Sequence, residues 1–343
     1  MAPKKAASKA KATKGGKEND TVVNGKSNAP NEEPKASKDE ANENPDDKKQ
    51  ANPKTADEPS KKRGKAASTD EPRKASRRSG RGASKGEPSQ QQLLNYLLSP
   101  AAAELTRPDD ELEDVKARGD IRTYSASTLN PFEELLCAVI LSRPISHRLG
   151  LRTIRTVLND PYNFTSAREV QDAGDEKRLK AVYDARTQHK DKTATQMGDI
   201  AKAVLENFTS GNDKDGTQLQ KLRDDCGDDI GKAADMLKSH VKGLGQTGLE
   251  IFFRRVQWIW TESFPNIDGR TADSLRMLGL PQDGETLRKL VDENWKGIES
   301  KGSLAGDDEE TKKRRAFVVL LERATGSQLE HKIDDVLAAA AAA

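Results

Sequence analysis

Leu, Ile and the aromatic residues of this chain are confined to residues 93–343. There they recur at intervals of three and four, which is the period of an amphipathic α-helix. Up to residue 208, the spacing predicts helices at about 90–98, 109–118, 131–142, 147–158, 176–186 and 190–208, with a short helix after Ser166. Beyond that it predicts a helix at 219–240 that is interrupted near 227–231, and another that begins at 246. The last predicted helices are at 271–278, 284–295, 310–323 and 328–337. No segment has the strict alternation of a strand and no repeat is visible, so the predicted fold is all-α.

The most apolar of these helices is PFEELLCAVILS, which begins at Pro131. Proline suits the first turn of a helix, and Glu133 and Glu134 suit the positive end of its dipole. The rest of the segment is apolar on nearly every face, which is typical of a buried helix, and Pro144 ends it. In the same way Pro100 is expected to end the helix at 90–98.

Two glycines, Gly243 and Gly245, lie between two predicted helices in the segment Val241–Thr247. Glycine permits a tight turn with outward-pointing amides, and the following helix directs the positive end of its dipole to the same place. With the side chain of Lys242, these groups would hold a phosphate oxygen without reading a base. The alternative interpretation is an ordinary helix end followed by a turn.

Asp268 follows this turn at the start of another predicted helix, in the segment Ile267-Asp268-Gly269-Arg270. It suits either a catalytic carboxylate or a helix N-cap, for which Asp is among the favoured residues, and one side chain can serve both purposes. The apolar residues between the turn and Asp268 have helical spacing, which favours packing in the core over stacking on bases. These residues are Leu249, Phe252, Phe253, Val256, Ile259 and Trp260.

The buried helix, the turn VKGLGQTG, the aromatic-rich helix and the segment FPNID, in this order, resemble the helix-hairpin-helix DNA glycosylase superfamily. Endonuclease III, the adenine glycosylases and the alkyl-base glycosylases belong to that superfamily. The likeness covers about residues 131–325. It implies two helical subdomains, a helix-hairpin-helix motif and a cleft between the subdomains.

In that superfamily the turn amides bind the DNA backbone, and an aspartate at a helix start is catalytic. The resemblance therefore implies that Asp268 is catalytic. It implies DNA-binding roles for Lys242, Gly243, Leu244, Gly245, Gln246, Thr247, Arg143 and Arg270. A carboxylate suits the chemistry, because cleavage of the N-glycosidic bond of a flipped base builds positive charge on the sugar.

The chain departs from the superfamily at several positions. Thr247 stands where bifunctional members carry a nucleophilic lysine, so no β-lyase step through a Schiff base is expected. The chain has two cysteines, too few for the iron–sulfur loop of several members. Arg143 lies where relatives often place a glutamine that fills the gap left by the flipped base, and it suits a wedge, a phosphate contact or a plain surface arginine. The spacing from Gly245 to Asp268 is also longer than in endonuclease III-like relatives.

Residues 1–92 are rich in Lys, Ala, Ser and Glu, and they contain eight of the fifteen prolines. Such a segment cannot bury enough apolar surface to fold, so residues 1–88 are predicted to be a disordered tail. The tail is basic, since residues 1–92 contain 22 Lys and Arg against 14 Asp and Glu, whereas the rest contains 36 against 42. Its basic runs suit nuclear import or phosphate binding as well as a merely solubilising role. The predicted nuclear-targeting residues are Lys61, Lys62, Arg63, Lys65, Arg77 and Arg78.

The two cysteines and four histidines show no metal-ligand spacing, and no cofactor or metal is expected. No apolar run is long enough for a signal peptide or a membrane span. The expected location is the nucleus and the expected partner is double-stranded DNA, with no membrane and no small-molecule cofactor. The oligomeric state is open.

The predicted organisation is a tail at 1–88, short helices and a linker at 89–130, a glycosylase-like domain at 131–337 and a frayed alanine end at 338–343. The leading hypothesis is a monofunctional DNA glycosylase in base-excision repair. The alternatives are a non-catalytic DNA- or chromatin-binding protein and a helical interaction module without a DNA role. An active glycosylase is expected to show Asp268 facing solvent in a cleft. The cleft is expected to have a positive rim formed by Arg143, Lys242, Arg254 and Arg270.

Overall fold

A computed structural model describes residues 86–343 of the chain. This part forms fifteen α-helices and three short 3₁₀ helices, and it contains no strand, so the all-α prediction is confirmed for these residues. The predicted tail lies outside the described residues except for residues 86–88. The nuclear-targeting residues, from Lys61 to Arg78, lie outside them altogether.

The first eight helices end before residue 210. They are α1 (Gln90–Leu98), α2 (Pro100–Leu105), α3 (Asp109–Arg118), α4 (Pro131–Leu141), α5 (His147–Val157), α6 (Ala167–Asp172), α7 (Gly174–Asp184) and α8 (Lys190–Asn207). The other seven are α9 (Gln220–Cys226), α10 (Ile230–His240), α11 (Gln246–Val256), α12 (Gly269–Met277), α13 (Gly284–Asn294), α14 (Glu309–Leu329) and α15 (Ile333–Ala340).

Helix α4 is the buried helix that the sequence predicts. Asn130 caps it by accepting a hydrogen bond from the Glu133 amide, and the Glu133 side chain accepts one in return from the Asn130 amide. Every residue from Pro131 to Ile140 is buried. Helix α11 packs beside α4 so closely that a Cβ added at Gly248 would lie 3.3 Å from the Ser142 hydroxyl oxygen. These two helices pack directly against each other.

The buried apolar residues form two clusters. The larger cluster surrounds α4, α5, α8 and α11, and it contains Phe252, Phe253, Val256 and Trp260, as predicted for the aromatic-rich segment. The smaller cluster brings α1 and α2 together with α12 to α15. The described part of the chain therefore has two apolar cores.

Several helix boundaries differ from the predictions. Pro100 does end α1, but it also occupies the first position of α2, where a proline costs no hydrogen bond. Helix α14 continues to Leu329 rather than ending near Arg323. Helix α15 runs to Ala340, whose side chain is fully buried, so the alanine end is helical further than expected. In the described part, every helix is too short or too polar to cross a membrane.

Candidate functional site

A cavity of about 560 Å³ opens between elements of both apolar clusters. It is lined by the α4–α5 connection and the start of α5, by α11, by the start of α12 and by the C-terminal half of α14. Thr106, Tyr124 and Ser125, from the connections on either side of α3, complete the lining. The cavity contains the side chains of Asp268, Thr247, Arg143 and Arg270. Four residues from three separate stretches of the sequence thus converge on one site.

The connection between α10 and α11 consists of five residues, Val241–Gly245. Gly243 has φ of +84°, a conformation that residues with a side chain rarely adopt. The buried side chain of Leu244 anchors the turn in the larger core, whereas Lys242 is exposed. The first amides of α11 have no intrahelical partner, and no side chain caps them. The turn therefore presents free backbone donors and one cation on its exposed side.

Neither the backbone conformation of Gly245 nor the packing around it requires a glycine. Its φ is −98°, which any residue adopts, and a Cβ added there would meet nothing within 4 Å. A glycine in open space beside free amides leaves room for another molecule to approach the backbone.

Asp268 is the N-cap of α12. Its Oδ1 accepts a hydrogen bond from the Thr271 amide at 3.1 Å, and its Oδ2 accepts one from the Thr271 hydroxyl at 2.6 Å. Oδ2 also accepts a hydrogen bond from Arg254 Nη1 at 2.9 Å. Burial alone would raise the pKa of Asp268, but the charge of Arg254 and these hydrogen bonds outweigh it and lower the pKa. The carboxyl group is therefore ionised, and both of its oxygens are engaged.

Arg254 joins this carboxylate to a second one, because its Nε donates to Glu322 Oε1 at 2.6 Å. Burial raises the pKa of Glu322, but Arg254 and the neighbouring Arg255 lower it further than burial raises it. Arg255 in turn makes a two-point ion pair with Glu134 of α4. A chain of buried, paired charges thus connects α4, α11, α12 and α14 behind the cavity.

Gln257 fixes the loop that leads from α11 to Asp268. Its side chain is fully buried, and its Nε2 donates to the backbone oxygens of Arg254 and Asn266. Its Oε1 accepts a hydrogen bond from the Asn266 amide at 2.8 Å. Three hydrogen bonds from one side chain therefore set the path of the backbone that delivers Asp268 to the cavity.

Two expectations about the site are wrong. Asp268 does not face solvent, because its side chain is only 3% exposed. Arg254 is not part of a positive rim, because its side chain is 6% exposed and paired with two carboxylates. An arginine and an aspartate whose charged atoms are 2.9 Å apart attract each other strongly once burial removes the competing water.

The other predicted residues lie at or near the cavity. Arg270 and Thr247 are exposed and line it, and Arg143 is half-buried in its wall. The predicted DNA-binding residues that do not line it belong to the turn beside it or to the first position of α11, and they are Lys242, Gly243, Leu244, Gly245 and Gln246.

Sequence reasoning missed several polar residues that shape the site. Glu322 and Gln257 have several apolar neighbours in the sequence, in the segments VVLLERAT and FRRVQWIW. A polar residue in such a segment is unusual, and this feature could have identified both residues as candidates for a role in the site. Gln196 of α8 gave no such signal, because an isolated glutamine on a helix is ordinary. Its role is visible only from the contacts that it makes.

In the described part of the chain, no group of three or more His, Cys, Asp or Glu residues is arranged to hold a metal ion. Compared with known proteins, the chain matches no protein-family model, no curated protein and no solved structure. Any assignment of function therefore rests on the residues and geometry described above.

Proposed function

We propose that the chain is a DNA-binding protein of the helix-hairpin-helix glycosylase class. In this proposal it acts as a monofunctional DNA glycosylase on a damaged or mispaired base. The observation that carries the proposal is the cavity that joins Asp268 to Arg143, Thr247 and Arg270 beside the Val241–Gly245 turn. Its volume of about 560 Å³ falls within the range of about 300–1,000 Å³ that is usual for small-molecule sites. A base rotated out of the duplex is a ligand of that kind.

The turn would bind the DNA backbone. Free amides at the start of α11, the helix dipole and the exposed Lys242 all favour a phosphate oxygen. The open space at Gly245 lets the phosphate approach these amides. In this arrangement α10, the turn and α11 form the helix-hairpin-helix motif, and the two apolar clusters correspond to two subdomains that flank the cleft.

The ionised Asp268 would serve the chemical step. The bond between the sugar C1′ and the base nitrogen breaks, a water oxygen bonds to C1′, and a proton goes to the departing base. Positive charge that develops on the sugar is stabilised by a carboxylate held in a cavity. With Thr247 at the lyase position, hydrolysis without strand cleavage is the expected outcome.

A second function, a non-catalytic DNA- or chromatin-binding protein, is favoured by the burial and pairing of Asp268, whose side chain is 3% exposed rather than facing solvent as expected of an active glycosylase. Arg254 neutralises Asp268, and the Thr271 hydrogen bonds are those of an ordinary helix cap. A carboxylate engaged in this way stabilises the fold whether or not any chemistry occurs. In this reading the turn still binds DNA, and the cavity has no catalytic role.

A single-turnover assay on duplexes with uracil, alkylated, oxidised and mismatched bases separates the two functions. Asp268→Asn is the test variant, because asparagine also caps helices. Asp283→Asn is its matched control, since Asp283 caps α13 in the same way but is exposed and lies outside the cavity. Alkali-dependent cleavage that Asp268→Asn abolishes and Asp283→Asn retains supports the glycosylase. Binding without cleavage across the whole panel supports the non-catalytic function.

Salt dependence tests DNA binding itself. Phosphate contacts release counterions, so the affinity of a protein that begins at Ser89 should fall steeply with salt concentration. A flat dependence refutes both DNA functions and leaves a helical interaction module. We further propose that the basic tail directs the protein to the nucleus. Replacement of Lys61, Lys62, Arg63, Lys65, Arg77 and Arg78 by alanine should then abolish nuclear accumulation in cells.

A further inference from the structure

Gln196 of α8 contacts two parts of the proposed DNA-binding surface at once. Its Oε1 accepts a hydrogen bond from Arg143 Nη1 at 2.6 Å. Its Nε2 donates to the backbone oxygen of Lys242 in the Val241–Gly245 turn at 3.2 Å. One neutral amide therefore links the α4–α5 connection to the turn between α10 and α11.

Arg143 is held by this amide without being neutralised. Within residues 86–343, no carboxylate lies close enough to Arg143 to form a salt bridge. Burial lowers the pKa of its guanidinium, so the partly desolvated cation gains from any anion that reaches the cavity wall. A carboxylate at position 196 would orient Arg143 equally well but would cancel its charge. A glutamine orients it and leaves the charge for another partner.

The turn and Gln196 are also in close contact. A Cβ added at Gly243 would lie 2.5 Å from Gln196 Nε2, so the end of the Gln196 side chain would have to move to make room for it. The Lys242 carbonyl, in the peptide group just before Gly243, accepts the hydrogen bond from this amide. The position of the turn and the orientation of the amide are therefore fixed together, and Arg143 is fixed with them.

We propose that Gln196 is a positioning residue that makes Arg143 and the Val241–Gly245 turn one phosphate-binding unit. Arg143 contacts a backbone phosphate of double-stranded DNA, and Gln196 holds it at a fixed distance from the phosphate bound by the turn. This inference rests on the proposed DNA binding. It assigns Arg143 to a phosphate contact rather than to a plain surface arginine.

The test measures the affinity of the full chain for a fluorescent DNA duplex at a series of salt concentrations. The basic tail contributes equally to every variant, so it cancels from the comparison. Arg143→Ala removes one charge-assisted contact, which is expected to weaken binding about tenfold and to reduce the salt slope by about 0.9. Gln196→Met removes both hydrogen bonds but keeps the size of the side chain. The double variant Arg143→Ala/Gln196→Met should bind DNA no more than about threefold more weakly than Arg143→Ala alone, because the effects of substitutions at coupled residues are not additive.

Gln196→Glu separates positioning from a merely structural role. It keeps an acceptor for Arg143, loses the donor to the Lys242 carbonyl and supplies a carboxylate that neutralises Arg143. The salt slope should therefore fall by about 0.9, as in Arg143→Ala, whereas Gln196→Met, which loses the same donor without adding a charge, should leave the slope unchanged. Thr195→Glu is the matched control, since it adds the same charge at an exposed neighbouring position. An equal loss in Thr195→Glu and Gln196→Glu refutes the inference. Additive losses in Arg143→Ala/Gln196→Met refute it as well.

The failure of the inference is distinguishable from the failure of DNA binding. If the wild-type chain binds duplex DNA and Lys242→Ala weakens the binding, but Arg143 and Gln196 act additively, only the coupling is wrong. If binding is absent, or is unchanged by Lys242→Ala and by Arg143→Ala, the proposed turn site and the coupling are both wrong.

Discussion

Replacement of Arg254 by methionine tests whether the buried charges behind the cavity hold the site together. The side chain of Arg254 is 6% exposed, and its guanidinium donates hydrogen bonds to Asp268, Glu322 and Thr271 at distances of 2.6–3.2 Å. Methionine fills similar space but leaves two buried carboxylates without their shared cation. Removal of one partner from a buried ion pair costs about 3–5 kcal/mol of stability. For a folded part of this size, that corresponds to a fall in Tm of about 6–20 °C.

The pH dependence of this loss has a definite sign. In the native chain the pKa of Asp268 is below its unfolded value, so its stabilising contribution is present above the unfolded pKa. That contribution is lost as pH falls through the folded pKa. In Arg254→Met the effect of burial is no longer opposed by Arg254, so the pKa values of Asp268 and Glu322 rise. Protonation of these carboxylates then removes the unfavourable buried charge. The loss of stability relative to the wild-type chain should therefore be smaller at pH 4.5 than at pH 7.

Thermal melting followed by circular dichroism at both pH values gives the measurement. The matched control is Arg276→Met, because Arg276 pairs with Asp273 on the same helix as Asp268 but with both side chains about 60% exposed. An exposed pair of this kind contributes at most about 1 kcal/mol. If Arg254→Met melts no earlier than the control, or if its deficit grows on acidification, the argument from buried charge is wrong.

Two further predictions concern the turn and the core. Gly243→Ala should lose about 1–3 kcal/mol of stability in thermal melting, because alanine is strained at its φ of +84°. Gly245→Ala should change stability by less than about 0.5 kcal/mol yet weaken DNA binding in fluorescence anisotropy. Burial raises the pKa of the Cys137 thiol well above its usual value, so a thiol reagent should modify it only as fast as the native chain opens. Rapid modification of Cys137 itself in the folded chain at neutral pH, with Cys226 replaced by serine, would contradict that burial.

The helices themselves were largely determined by local sequence. Pro131 and the Asn130–Glu133 pair define the start of α4, and its apolar run defines its burial. The glycines of Val241–Gly245 likewise separate α10 from α11 where the pattern places them. These signals lie within a few residues of the structure that they specify, so one stretch of sequence is enough to identify them.

The site depended on contacts that no local pattern contains. Asp268 was identifiable as a helix cap and as a possible catalytic residue, but its neutralisation by Arg254, fourteen positions earlier, was not. The sequence offered Arg254 as one more surface cation. Only the packing of α11 against α12 and α14 buries it, and burial makes its pairing with two carboxylates obligatory.

The same distinction applies to Gln196 and Arg143, which are 53 positions apart in sequence. The helices, and candidate site residues such as Asp268 and Arg143, could be identified from the sequence by itself. Which side chains meet, which charges are cancelled and which remain free were decided by tertiary structure alone. The physical reason is that the energies of charges and hydrogen bonds depend on burial and distance, and both are set by long-range packing.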